Sequence, residues 1–279
     1  MITPIATYEQ LRSHYPWYRR VRSPLRDAAV WALSRRRRTP HASEWIRFPY
    51  YHHVFDDERG GFAQQLDWMR NHADFLSLDC AVSLLASGDP LDGRYFCLSF
   101  DDGLKNGFTN AFPVLAEKQV PAAFFLPVQF VGASLEDAHA AMDRFTGIPW
   151  ISPDVIQFLS WDESRALAGS GMAIGSHGST EANLAELDDR EVAREMQDSK
   201  RKIEQELGSP CLHFSCPARH SGRQFVPERD PRIARETGYR SFLTSCRGAM
   251  HRGESPYLIR RDHLLAQWGH YQLRYFLGG

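Results

Sequence analysis

Two carboxylates stand side by side at Asp101 and Asp102, directly after the apolar run "YFCLSF" and directly before Gly103. Adjacent like charges at the end of a buried strand are a poor choice for stability, so they point to chemistry. Four other apolar runs also end in reactive types: "MAIGSH" before "GSTE", "HFSCPA" before "RH", "PYLI" before "RRDH", and "FPYY" before His52 and His53. One carboxylate at a strand end is commonly just a helix cap. Jointly, these runs supply two Asp, a His, a Glu and several Arg to one rim. That is the inventory of a metal site, since imidazole and carboxylate donors suit Zn, Fe, Co, Ni or Mn. His177 and Glu181 stand four apart, which puts both on one face if the segment after the strand forms a helical turn. With one Asp they make a three-donor set that leaves positions open for water or substrate. The alternative for Glu181 is a capping arrangement, with Ser179 or Thr180 as the cap.

Such residues converge only if the chain places strand ends together. From Trp45 onward, strand and helix patterns alternate. "WIRFPYYHHV", "YFCLSF", "AAFFLPV", "MAIGSH", "HFSCPA", "YRSFLTS" and "PYLIRR" read as strands. Between them, "GGFAQQLDWMRNHA", "NAFPVLAEKQV", "SWDESRALAGSG", "DDREVAREMQDSKRKIEQELG" and "DPRIARETG" read as helices, and "HLLAQWGHYQLRYFL" closes as one. The longest carries Val192, Met196, Ile203 and Leu207 on one face and stops at Gly208. Alternation of this kind predicts a parallel α/β sheet or barrel, with reactive groups at the C-terminal ends of its strands. Residues 133–158 break the rhythm and read as an insertion that could cover a site. Residues 1–43 differ again. They are rich in Arg, Tyr and Trp, end in "SRRRRTPHAS", and read as a basic N-terminal extension, helical over "PLRDAAVWALSRR", ahead of a domain spanning 44–279. The extension reads either as a solvated or packed arm or as a peripheral contact with anionic lipid.

A formal net charge of −1 over 279 residues gives no nucleic-acid signature. The opening residues lack the apolar core of a signal peptide, and no stretch approaches the roughly 18 apolar residues of a membrane span. The five cysteines are scattered, odd in number and form no CxxC pair. The expectation is a cytoplasmic protein with reduced thiols.

The order and spacing of "SFDDG", "LSWDESRALAGSGMAIGSHGSTEANLAEL" and "SKRKIEQELGSPCLHFSCPA" resemble the polysaccharide deacetylase family, also known as carbohydrate esterase family 4 or the NodB-homology domain. The likeness runs from about Trp45 to about Leu265. It implies a distorted (β/α)7-type barrel and one divalent metal ion. It assigns Asp101 as catalytic base, and Asp102 and His177 as metal ligands. The family's second metal His falls at Glu181, a departure that still offers an oxygen donor and favours a harder ion. Ala218 stands where the family has Tyr, with its backbone N–H at the oxyanion, and Arg219 and His220 follow as sugar contacts. "PYLIRRDH" resembles the corresponding strand of the cell-surface-polysaccharide branch, which implies that Arg260 pairs with Asp101. No clean match exists for the family's late His, so the general acid is unassigned; His52 and His263 are its candidates, with a structural role the alternative for each. The implied activity is removal of an acetyl or formyl group from an amino sugar in surface-polysaccharide or lipopolysaccharide synthesis. That substrate would be free, nucleotide-linked or lipid-linked. A catalytically silent, glycan- or partner-binding relative is the alternative.

Overall fold

A computed structural model describes residues 6–13, 17–35, 44–134, 157–217 and 223–278, with side chains from residue 26 onward in the second segment. The helices are α1 (Tyr8–Ser13), α2 (Trp17–Ser34), α3 (Arg59–Arg70), α4 (Leu78–Ser87), α5 (Phe112–Glu117), α6 (Trp161–Gly169), α7 (Asp189–Leu207), α8 (Asp230–Glu236) and α9 (His270–Leu277). The strands are β1 (Trp45–Arg47), β2 (Pro49–Tyr51), β3 (Asp74–Phe75), β4 (Arg94–Phe96), β5 (Leu98–Phe100), β6 (Ala122–Leu126), β7 (Ala173–Ser176), β8 (His213–Ser215), β9 (Ser241–Leu243) and β10 (Asp262–His263).

Seven strands run parallel in the order β10-β2-β5-β6-β7-β8-β9. The segment that ends in β10 closes this sheet on itself. On one side, Thr244 N–H donates to Ile259 O at 2.8 Å and Arg261 N–H to Cys246 O at 2.7 Å. On the other, Asp262 N–H donates to Phe48 O and Leu264 N–H to Tyr50 O, both at 2.9 Å. The ring has no free edge between β9 and β2, and it is the distorted (β/α)7 barrel that the alternation and the resemblance imply.

Two expected strands are each broken in half. "WIRFPYY" divides at Phe48 and "RYFCLSF" at Cys97. Their first halves, β1 and β4, join β3 in a separate three-stranded parallel sheet, and their second halves enter the barrel. The two segments bend together, so both keep a partner on each side of the break. Local apolar content cannot reveal the break at Phe48, because β1 and β2 are both buried; at Cys97, Arg94 and Tyr95 of β4 are half-buried whereas β5 is buried throughout.

The helices start where capping chemistry starts them. Ser160 and Glu163 cap α6 reciprocally (3.2 and 2.9 Å), and Asp188 and Glu191 do the same for α7 (2.8 Å each). Gly208, at φ +65°, ends α7 in the left-handed conformation that suits glycine. Val192, Met196 and Ile203 are the buried stripe of that helix, as their spacing predicts.

Strand parity divides the core. Phe100, Phe124, Phe214 and Phe242 face the helices, whereas Ala123 and Phe125 face the barrel interior beside Leu243 and Ile259. Phe125 leaves no room across the interior: a Cβ on Gly175 would lie 2.4 Å from its ring, so β7 needs glycine there. The N-terminal residues lie on this body. Asp57 accepts from the N–H groups of Tyr8 and Glu9 at 2.8 and 3.3 Å, and α2 packs against α9. Of the expected insertion, residues 135–156 lie outside the described residues. Its described ends return to the Asp pair, with Leu159 N–H on Gly103 O (2.9 Å) and Lys105 N–H on Gln157 O (2.8 Å).

Candidate active site

Inward-facing residues of the barrel strands meet at its C-terminal mouth; they are odd-numbered except on β2, where Tyr50 pairs with Ser99 and His263. Asp101 follows β5 with 1% of its surface exposed, and its N–H is held by Tyr51 O at 2.9 Å. The guanidinium of Arg261 grips both carboxylate oxygens at 2.8 Å each. It also donates to Thr244 O (2.9 Å) and Ser99 Oγ (3.3 Å), and lies 4.1 Å over the Tyr50 ring. This corrects the expectation that Arg260 is the partner. Arg260 points the other way, to Glu254 (2.8 Å) and Ala249 O (3.0 Å), and is partly exposed. Adjacent residues of an extended segment face opposite sides, so a register of one residue decides which arginine enters the barrel. His263, already a site candidate, shares parity with Arg261, and that signal was available in the sequence.

Asp102 turns away from Asp101 because its backbone is left-handed, at φ +68°, followed by Gly103 at φ +60°. A non-glycine residue in that region is strained, and such strain gathers at functional sites. The turn aims Asp102 at His177, with Oδ1 to Nε2 at 3.3 Å. His177 is buried, and its Nδ1 lies 2.9 Å from Ser215 O. A carbonyl only accepts, so the proton is on Nδ1 and the Nε2 lone pair is left for an ion.

Glu181 completes the cluster: one donor atom each from Asp102, His177 and Glu181 lie within 4.8 Å of one another. The expected helical turn does not form between His177 and Glu181. Gly178 (φ +82°) and Glu181 (φ +62°) are both left-handed, and the residues between them run as an irregular loop. Glu195, on α7, shapes that loop. Its carboxylate accepts from Ser179 N–H (2.8 Å), Thr180 N–H (3.0 Å) and Thr180 Oγ1 (2.9 Å). Ser179 and Thr180 therefore bind Glu195 rather than cap a helix with Glu181. Sequence reasoning missed Glu195, because nothing local links it to a turn some fifteen residues earlier.

The donor set fits a divalent first-row ion. One imidazole nitrogen has its other nitrogen anchored, and two carboxylates add negative charge that favours a hard or borderline ion. Burial opposes ionisation of Asp102, but its carboxyl is held below the usual range, with the charge of His52 beside it the foremost cause.

His52 follows β2 into the same mouth. Its Nε2 is 3.9 Å from Asp102 Oδ2, and its Nδ1 is 2.9 Å from Nε2 of His263. Burial, with His52 and Arg247 nearby, pulls His263 well below the usual imidazole range, so it is neutral and can accept from His52. The two histidine candidates thus form one unit. Ala218, Arg219 and His220 lie outside the described residues.

The family model for polysaccharide deacetylase matches residues 88–242. The chain belongs to the polysaccharide deacetylase family. The Bacillus subtilis (strain 168) protein YxkH, a polysaccharide deacetylase by name, is 23% identical over 201 residues; the match covers 72% of this chain and 62% of that protein's length. Among solved structures, IcaB from Ammonifex degensii aligns with a TM-score of 0.68 at 21% identity, over 85% of this chain and 98% of that one. The Streptococcus pyogenes deacetylase PplD, in complex with acetate, aligns with a TM-score of 0.64 at 17% identity, over 85% and 99%. At such identities these structures support the shared deacetylase fold.

Proposed function

We propose that the protein is a metal-dependent hydrolase that removes an N-acyl group, acetyl or formyl, from an amino sugar. The observation that carries this reading is the split of the Asp pair: Asp101 is held by Arg261, while Asp102 turns into a three-donor cluster with His177 and Glu181. Amide hydrolysis needs a base for water, relief of charge on the carbonyl oxygen, and a proton for the departing nitrogen.

Each demand has a candidate residue. Asp101 accepts the proton of the attacking water. Its carboxylate has more lone pairs than the two Arg261 contacts use, and the bidentate grip fixes its direction. A divalent ion held by Asp102, His177 and Glu181 would supply Lewis acidity to the carbonyl and the water. The amide N–H of Ala218 is the family's oxyanion donor. His52 is the proton donor for the leaving nitrogen, and neutral His263 orients its ring. Arg261, not Arg260, is the residue that holds the base.

The same reading places the sugar in surface-polysaccharide or lipopolysaccharide O-antigen synthesis, as a free, nucleotide-linked or lipid-linked unit. It also places the reaction in the cytoplasm. Five free thiols support a reducing compartment. The Glu181 departure favours a second reading, a silent family member that binds glycan or a partner; titration with Zn, Co and Mn separates the two, since that reading expects no uptake.

The test is acid release from N-acetylated and N-formylated hexosamine oligomers, with metal content measured in parallel. Asp101→Asn should keep metal and lose turnover, and Asp102→Ala should lose metal. The reverse pattern would overturn the role assignment. An active, metal-free protein would overturn metal dependence.

A further inference from the structure

The last two turns of α2 present their apolar side to solvent. Val30 and Ser34, 8% and 1% exposed, form the inner edge of this helix, which packs on α9. The outward arc holds Ala28, Ala29 and Ala32, flanked by Trp31 and Leu33 at 46% and 45% exposure. A helix lying on a globular body normally turns charge to water, and between Arg26 and Arg35 this arc bears none. Leu258 alone among the other described residues is a comparably exposed large hydrophobic. Arg26 and Arg35 are exposed at the two ends of the arc, and the Arg35 guanidinium lies 3.7 Å over the Trp31 ring. In the sequence, residues 1–43 carry nine Arg against two acidic residues, whereas residues 44–279 carry 24 basic against 32 acidic residues.

We propose that this face of α2 docks the protein on an anionic lipid bilayer. Two features select that occupant. An apolar arc ending in arginines matches the acyl boundary and phosphate layer of a membrane surface. A two-fold pairing of copies through the same arc would bring Arg26 and Arg35 against their own kind. Held in this way, the acidic body stays off the surface, and contact is reversible and salt-sensitive. The proposal stands apart from the deacetylase reading, since none of these residues lies at the barrel mouth.

The test is co-sedimentation of the full chain with vesicles of phosphatidylcholine alone or mixed with phosphatidylglycerol, at low and high salt. Wild type should bind only the mixed vesicles, and salt should release it. Arg26→Ser/Arg35→Ser should weaken binding about twenty-five-fold, at about fivefold per arginine. Trp31→Ser/Leu33→Ser should lose binding with an unchanged melting temperature and unchanged hydrolysis of a soluble substrate. Equal binding of wild type and Trp31→Ser/Leu33→Ser, or none by wild type, overturns the proposal. So does a concentration-dependent dimer that those two substitutions dissolve, because a second copy would then cover the face.

Discussion

Replacing Arg261 by Ala tests the centre of the site and the choice between two adjacent arginines. Both side chains of the Arg261–Asp101 pair are fully buried. Removing the guanidinium leaves a buried carboxylate without its counter-charge, which costs about 3–5 kcal/mol. For a domain of this size each kcal/mol moves the melting temperature by about 2–4 °C, so a fall of about 6–20 °C is expected. Arg260→Ala removes a pair whose side chains are 34% and 33% exposed. Such a pair contributes at most about 1 kcal/mol, so its melting temperature should fall by no more than a few degrees. Turnover should separate the variants further. Arg261→Ala frees the base to rotate and should lose kcat even where the protein is folded, and Arg261→Lys should recover part of the stability but little of the alignment. Arg260→Ala should keep kcat. The assays are thermal denaturation and acyl release on matched samples. Equal destabilisation by the two alanine variants, or full kcat in Arg261→Ala, would refute the reasoning.

Glu181→Gln should weaken divalent-metal affinity in calorimetry, while Glu181→His should retain binding and shift preference toward zinc. Glu195→Gln should weaken metal binding about 10–100-fold, the range for groups that orient metal ligands, because an amide cannot accept all the bonds that hold the Ser179–Thr180 turn; unchanged affinity would make Glu195 a bystander. Burial holds His263 neutral in the fold, with its pKa well below 6.5. The unfolded chain therefore takes up the extra proton first on acidification, and stability should fall as pH drops through about 6.5. Thermal denaturation across that range should show a shallower fall for His263→Gln, and an identical slope would remove His263 as the cause.

The parts of the site carried by short motifs were legible in the sequence. Asp101, Asp102 and His177 sit at strand ends, and a strand end is a local property of apolar runs and the residues that stop them. Glu181 was legible by its spacing, although the reason for that spacing was not. Its approach to His177 comes from two left-handed residues and the distant Glu195, not from helical periodicity. Arg261 was lost to a one-residue ambiguity in "LIRRD", where both neighbours are arginine and only the parity shared with His263 separates them. The pairing of His52 with His263 joins residues 211 apart and depends on which strands close the ring. The alternation of the fold was readable for the reason that parallel strands need crossover helices. The passage of two strands between two sheets was not, because buried apolar residues run on across each break, Ile46, Phe48 and Tyr50 across one and Phe96, Cys97 and Leu98 across the other.

The closing segment has a consequence for how the site comes into being. Asp101 and Arg261 are 160 residues apart, and Arg261 enters the barrel on the stretch that seals it. During synthesis the Asp pair and His177 emerge well before that stretch. Until it docks, Asp101 has no guanidinium to hold it and the ring stands open between β9 and β2. A contact of such long range forms slowly and late. Under the proposed function, a chain that lacks this stretch should have no held base and no turnover. A nick that releases residues 259–264 would likewise silence the site while leaving the acidic cluster in place.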